Sequence, residues 1–298
     1  MPIDSPVPRR RPSPRLPALA VIAAALLTAC SAGSDASGGA RGDGAAAAVT
    51  RAGLSRSLPD DPARMVLPTT GAETRWTQGL DVFVWQVARA TATTCANERG
   101  AVLPEAAPPA FIRFSELPDL DFIALHGTSA SAPVPAPATS PTATRPAGPA
   151  VQRRCAAEGE AAADALRDLY GPLQQKWFGE LVSLRRDPET VRALRALPDC
   201  LAQRGIEVPD ENGFFALADT RMQTTDPADL PREQRALGQA YAGCMRPVEA
   251  IREPARKHLL NRFRTTHAEE LDTLRRTLLP ALRKAAADHD VSLVFPAP

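Results

Sequence analysis

The chain has 298 residues, 44% of them hydrophobic but only 5% aromatic, which leaves room for one or two domains with a thin core. Thirty-five basic residues face 34 acidic ones, and loss of a leader with four arginines and Asp4 takes the formal charge from +1 to about −2. That balance lacks the basic excess of a nucleic-acid-binding surface.

Residues 1–29 read as a lipoprotein signal peptide. Arg9, Arg10, Arg11 and Arg15 precede an apolar run over residues 16–27, too short to span a bilayer as mature structure. The run ends in Leu27-Thr28-Ala29-Cys30, which resembles the bacterial lipobox, and this resemblance implies lipidation of the Cys30 thiol. Several acyl chains at about 0.8 kcal/mol per buried methylene anchor stably, so a tethered protein on the extracytoplasmic face of the cell membrane is expected. Pro12-Ser13-Pro14 after the arginines argues for general secretion over twin-arginine export. Residues 30–73, which open on a Gly, Ala and Ser-rich stretch, are expected to be a flexible tether.

Residues 74–180 form the first expected helical half. Trp76, Leu80, Phe83, Val87, Thr91 and Cys95 recur in steps of three and four, one face of a helix. Trp85 lies off that stripe and is the candidate for a ligand groove. Phe111, Ile112, Phe114, Leu117, Leu120, Phe122 and Ile123 fit neither helix nor strand period and predict an irregular aromatic connector. Residues 127–150, a run of Pro, Ala, Ser and Thr, predict a disordered insertion. Helical periodicity returns through Leu166, Tyr170, Leu173, Trp177 and Leu181, with a kink or split at Gly171-Pro172.

The second half, residues 181–298, opens a helix at Asp187-Pro188-Glu189, which bends or restarts near Cys200 because of Pro198. A connector bearing Phe214 and Phe215 is expected next, then a helix carrying Tyr241 and Cys244. Leu260, Phe263, His267, Leu271, Leu274, Leu278 and Leu282 predict one long amphipathic helix, begun or kinked at Pro254, and residues 291–295 look strand-like.

The halves share a phrase. From Cys95 the chain reads CANERGAVLPE and from Cys200 CLAQRGIEVPD, with Arg four, Gly five, Pro nine and an acid ten positions after each cysteine. Arg-Gly predicts a helix end with glycine in the left-handed conformation, and the proline forbids resumption. With Cys30 assigned to lipid, four cysteines remain in an oxidising compartment. If the phrase marks a duplication and each copy holds its own bridge, the pairs are Cys95 with Cys155 and Cys200 with Cys244. The expected fold is mainly α: two disulfide-stapled helix pairs joined by aromatic connectors.

The duplicated phrase resembles secreted lipoproteins of high-GC Gram-positive bacteria, in which Cys-Met-x-x-x-Gly precedes a second cysteine-bearing helix. Here Ala96 and Leu201 stand in place of methionine, and each glycine falls one position later. The resemblance implies an envelope accessory protein, in some members alongside transporters, and supplies no catalytic residues. Catalytic signatures such as Gly-x-Ser-x-Gly, His-Glu-x-x-His and phosphate-binding glycine loops are absent from the sequence. No two cysteines lie two to four residues apart, and His267 with Glu270, the one histidine pair at ligand spacing, sits on an apolar row. The reading therefore assigns no metal, cofactor or nucleic acid. It expects a lipid-anchored, non-catalytic binding or accessory module whose partners are the membrane and an envelope or transporter protein. The alternative is an envelope hydrolase built on dispersed carboxylates.

Overall fold

A computed structural model describes residues 53–105, 117–128 and 142–297. Cys30, the signal peptide, Phe111 to Phe114 and most of the 127–150 insertion lie outside them. Among the described residues the fold is mainly helical: β1 (Gly53–Ser55), α1 (Thr74–Glu98), α2 (Leu120–His126), α3 (Pro149–Arg167), α4 (Gly171–Ser183), α5 (Pro188–Leu194), α6 (Leu197–Ala202), α7 (Glu211–Thr224), α8 (Leu230–Thr266), α9 (Ala268–His289) and β2 (Phe295–Ala297).

The first departure from expectation comes early. Part of the expected tether is folded: Ala63, Met65, Val66 and Leu67 are buried, and Gly53 to Ser55 pair antiparallel with Phe295 to Ala297. The apolar cluster at Met65 is too short to carry a period, so pattern alone leaves it invisible. Thr70 and Glu73 then cap each other reciprocally at the entry to α1. Leu80, Phe83 and Val87 of the predicted stripe are buried, while Trp76 and Thr91 are half-buried.

Both cysteine bridges pair as the duplication predicts. Cys95 joins α1 to α3 and Cys200 joins α6 to α8. The two helix ends also match bond for bond. In each, the amide four residues after the cysteine donates to the carbonyl one residue after it, the fifth to the second, and the sixth again to the first. Gly100 and Gly205 take φ of 62° and 76°, the left-handed region that lets the chain leave the helix. Close approach of α1 and α3 depends on Gly159, where a Cβ would lie 2.4 Å from the Ala88 carbonyl oxygen.

Several expected loops are helical. Asp119 caps α2 by accepting from the Phe122 amide at 3.1 Å, within the segment expected to be irregular. Asp210 does the same for α7 through Gly213 at 2.8 Å, so Phe214 and Phe215 lie on a helix instead of a connector. Residues at the end of the expected insertion are ordered too, since Val102 bridges to Pro146 and α3 starts at Pro149. Gly171-Pro172 splits α3 from α4, and Pro198 sits at the first turn of α6, where a missing amide hydrogen costs little. In contrast, α8 runs 37 residues straight through Pro247 and Pro254. The expected single row across His267 breaks there, because His267 leaves helical geometry at φ −116° and ψ 33° and α9 begins afresh.

The core does not divide at residues 180 and 181. One apolar cluster combines α1, α3 and α4 with the end of α8, α9 and Phe295. A second packs α2 with α6, α7 and the start of α8, and a third surrounds the Cys95–Cys155 bridge. α2, from the first half in sequence, docks on α8 at Gly238, where a Cβ would sit 2.0 Å from the Ile123 carbonyl oxygen. α8 thus belongs to both clusters.

Candidate functional site

Charge enters the interior where α8 passes between the two larger apolar clusters. Glu249, Arg252 and Arg256 are spaced by three and four and share one buried face. Arg256, 1% exposed, donates from Nε to the Thr69 carbonyl at 2.7 Å and from Nη2 to Glu249. Arg252 Nη1 reaches Glu249 Oε1 at 3.4 Å, and its Nη2 lies 3.9 Å from Glu211 Oε2. Glu211 Oε1 accepts from the Tyr241 hydroxyl at 2.5 Å. Burial pushes the Glu211 carboxyl up, against the pull of Tyr241 and Arg252. Burial, then the Glu211 charge, raises the Tyr241 hydroxyl well above the usual phenol range.

Beyond Thr69 the seam continues into the turn before α1. Glu73 Oε2 accepts from the Thr69 amide and hydroxyl at 2.6 and 2.8 Å, and Oε1 accepts from Arg64 Nε at 2.8 Å. The Arg64 guanidinium lies 4.8 Å from the centre of the Trp76 ring. Three grooves open around this turn. The first, about 350 Å³, lies between residues 70–72, the start of α2 and the α8 side chains Arg246, Glu249 and Glu253. The second, about 310 Å³, is walled by Trp76, Arg64 and the paired strands. The third, about 270 Å³, separates Thr69 and Glu73 from Lys257, Leu260, Asn261 and Arg264.

The acids of the first groove all have basic partners. Asp119 takes two bonds from Arg75, at 2.5 and 2.9 Å, Asp121 one from Arg246 at 2.9 Å, and Glu253 one from Lys257 at 2.6 Å, while Glu249 holds Arg256. Such an array can seat polar groups of a ligand or partner, and its carboxylates are committed as hydrogen-bond acceptors.

The sequence-based candidates fall elsewhere. Trp85 is half-buried on α1 and lines none of these grooves. Trp76, expected on the core stripe, is the tryptophan at a groove, with its Nε1 donating to the Ser57 carbonyl at 3.1 Å. Trp177 is core, donating to the Pro68 carbonyl at 2.9 Å and meeting Phe263 edge-on. His267 packs on Phe263 and lies 3.2 Å from Glu270, which also holds Lys176. Among the described residues no cluster of three or more His, Cys, Asp or Glu has metal-site geometry. Sequence reasoning missed the seam; its signal was a charged trio at helical spacing on a row otherwise apolar.

Asp81, outside the seam, is an acid whose titration is displaced upward. It keeps a solvent-exposed face, but protein crowds the rest, and this burial pushes its carboxyl from 3.8 up to about 6 against the pull of Arg167. Folding therefore favours the protonated acid, and its contribution is fully present below pH 3.8 and lost as pH rises through about 6. Asp81→Asn is expected to raise stability at pH 7 by about 1 kcal/mol, discounted for solvent screening, and to leave it unchanged near pH 3.5. Melting curves of both proteins at the two pH values check this.

Comparison with protein-family models, curated proteins and solved structures finds no match to the chain.

Proposed function

We propose that this chain is a lipid-anchored, extracytoplasmic helical protein that acts as a non-catalytic binding or accessory module, on a transporter or another component of the cell envelope. The lipobox-like Leu27-Thr28-Ala29-Cys30 after an apolar leader supports the address, and two disulfides accord with an oxidising compartment. The observation that carries the non-catalytic reading is the first groove, where Asp119, Asp121, Glu249 and Glu253 all face a basic partner. A hydrolase built on carboxylates needs one acid free to give a proton and one free to attack or activate water. Asp81, whose raised titration would suit an acid, lines none of the three grooves.

Expression of the full chain in an actinobacterial host with an alkyne-tagged fatty acid tests the address. The wild type is expected to carry the label and sediment with membranes, and Cys30→Ser to lose the label and most of its membrane association. A Cys30→Ser protein that remains fully membrane-bound and labelled would overturn the anchor. Retention of one envelope protein by the anchored wild type, lost when Arg246 and Arg75 are both replaced by glutamine, is the outcome expected of a docking module. Turnover of peptidoglycan or envelope-glycan fragments, abolished by Asp119→Asn, would instead establish the hydrolase.

A further inference from the structure

The third groove differs from the first in one respect: its cations exceed the acids committed to them. Lys257, Leu260, Asn261 and Arg264 follow one another on a single face of α8 and look across at Thr69, Glu73 and Arg64. The nearby carboxylates are spoken for. Glu73 is taken by Arg64 and Thr69, Glu253 by Lys257 at 2.6 Å, and both oxygens of Asp61 by Arg275 at 3.1 and 3.0 Å. Arg264 therefore has no carboxylate of its own among the described residues; burial pushes the Asp61 carboxyl up, but Arg275, the Ala63 amide and, last, the Arg264 charge hold it below the usual carboxylate range. Its Nε is closed off from solvent and has no hydrogen-bond partner among them. A buried donor left without an acceptor is costly and uncommon in a folded protein.

We infer that this groove is a binding site for a small oxyanion of the phosphate class, either free phosphate or a phosphomonoester headgroup. Arg264 lines the groove with a planar guanidinium that no carboxylate among the described residues engages, the geometry that suits tetrahedral oxyanions. Asn261 supplies a neutral amide donor, and Lys257 and Arg64 retain donors beyond those used on Glu253 and Glu73. At about 270 Å³ the groove admits a phosphate and its hydration but not a nucleotide or folded peptide. Leu67 and Leu260 form an apolar side against which charge is poorly screened. This inference is independent of the first groove and of the accessory reading.

Calorimetric titration of the full-length protein in detergent with inorganic phosphate, at constant ionic strength, is expected to show saturable binding to one site. Arg264→Gln should weaken it about tenfold or more, and Arg264→Lys less, because one charge is kept while the fork is lost. Asn261→Asp, which adds a repelling carboxylate at an exposed position, should abolish binding and covers the case in which Arg264→Gln does not fold. Flotation with vesicles of phosphatidylcholine, with and without phosphatidic acid, separates the sources: using the Cys30→Ser chain, recovery that needs phosphatidic acid and Arg264 points to a lipid headgroup, and binding of free phosphate alone to a soluble ligand. The proposal is overturned if neither phosphate nor phosphatidic acid binds, or if binding survives both Arg264→Gln and Asn261→Asp.

Discussion

Arg256→Ala is expected to lower the unfolding free energy by about 3–5 kcal/mol, the usual cost of removing one member of a buried ion pair. The substitution strips the Thr69 carbonyl of its 2.7 Å donor and leaves Glu249 in the interior with only the longer contact to Arg252, at 3.4 Å, among the described residues. It also opens a void at one of the largest fully buried side chains. At about 2–4 °C per kcal/mol for a chain of this size, the melting temperature should fall on the order of 10 °C. A double-mutant cycle separates charge from packing. If the charge is decisive, Glu249→Gln rescues part of the loss in the Arg256→Ala background, because the unpaired anion is gone. A fall of less than about 1 kcal/mol in urea unfolding would mean that the seam does not hold the 64–73 segment to α8.

The second large effect concerns the bridges, where chain entropy and local structure point to different orders. Closing loops of separation 60 and 44 is worth about 4 kcal/mol in either case, with the longer Cys95–Cys155 loop slightly ahead. The local structures differ more. α1 has 25 residues and meets α3 along a face tight enough to require Gly159, so the helix pair has contacts beyond its disulfide. α6 has six residues, flanked on both sides by non-helical turns, too few to persist alone in water. The paired change Cys200→Ser with Cys244→Ser is therefore expected to cost at least as much as Cys95→Ser with Cys155→Ser, about 4 kcal/mol. It should also erase amide-exchange protection over residues 197–206 while α1 stays protected. Equal protection of that segment with and without the bridge would show that packing of Leu197 and Leu201, not the cross-link, secures α6.

Both predictions bear on what could be read in advance. The repeated cysteine phrase carried its structure within itself: Arg-Gly ends a helix through local backbone geometry, and Gly100 and Gly205 have the positive φ this requires. The same local logic marked the starts at Asp187-Pro188 and the break at Gly171-Pro172. It failed where capping competed with composition. Asp119 and Asp210 each begin a helix in a stretch that looked irregular, and one accepted hydrogen bond at an N-cap, worth about 1 kcal/mol, tips such a segment toward helix. Proline was misleading in α8. Pro254 lies inside a helix already held by burial of Tyr241, Met245, Val248, Leu259 and Phe263 on either side, and that packing outweighs the local penalty.

The grooves were not legible at all, for a physical reason. A periodic pattern reports which face of an element is apolar, but it carries no information about which distant face meets it. By itself the sequence determined the helical class, the two helix stops and, through their repetition, the pairing of four cysteines. Tertiary structure alone decided that residues 63–67 join the core, that α2 docks on the far half of the chain, and that Thr69 meets Arg256 and faces Arg264 across a groove. Those meetings join residues nearly two hundred positions apart, and such contacts form only after the apolar clusters have already brought α8 and the 64–73 segment together.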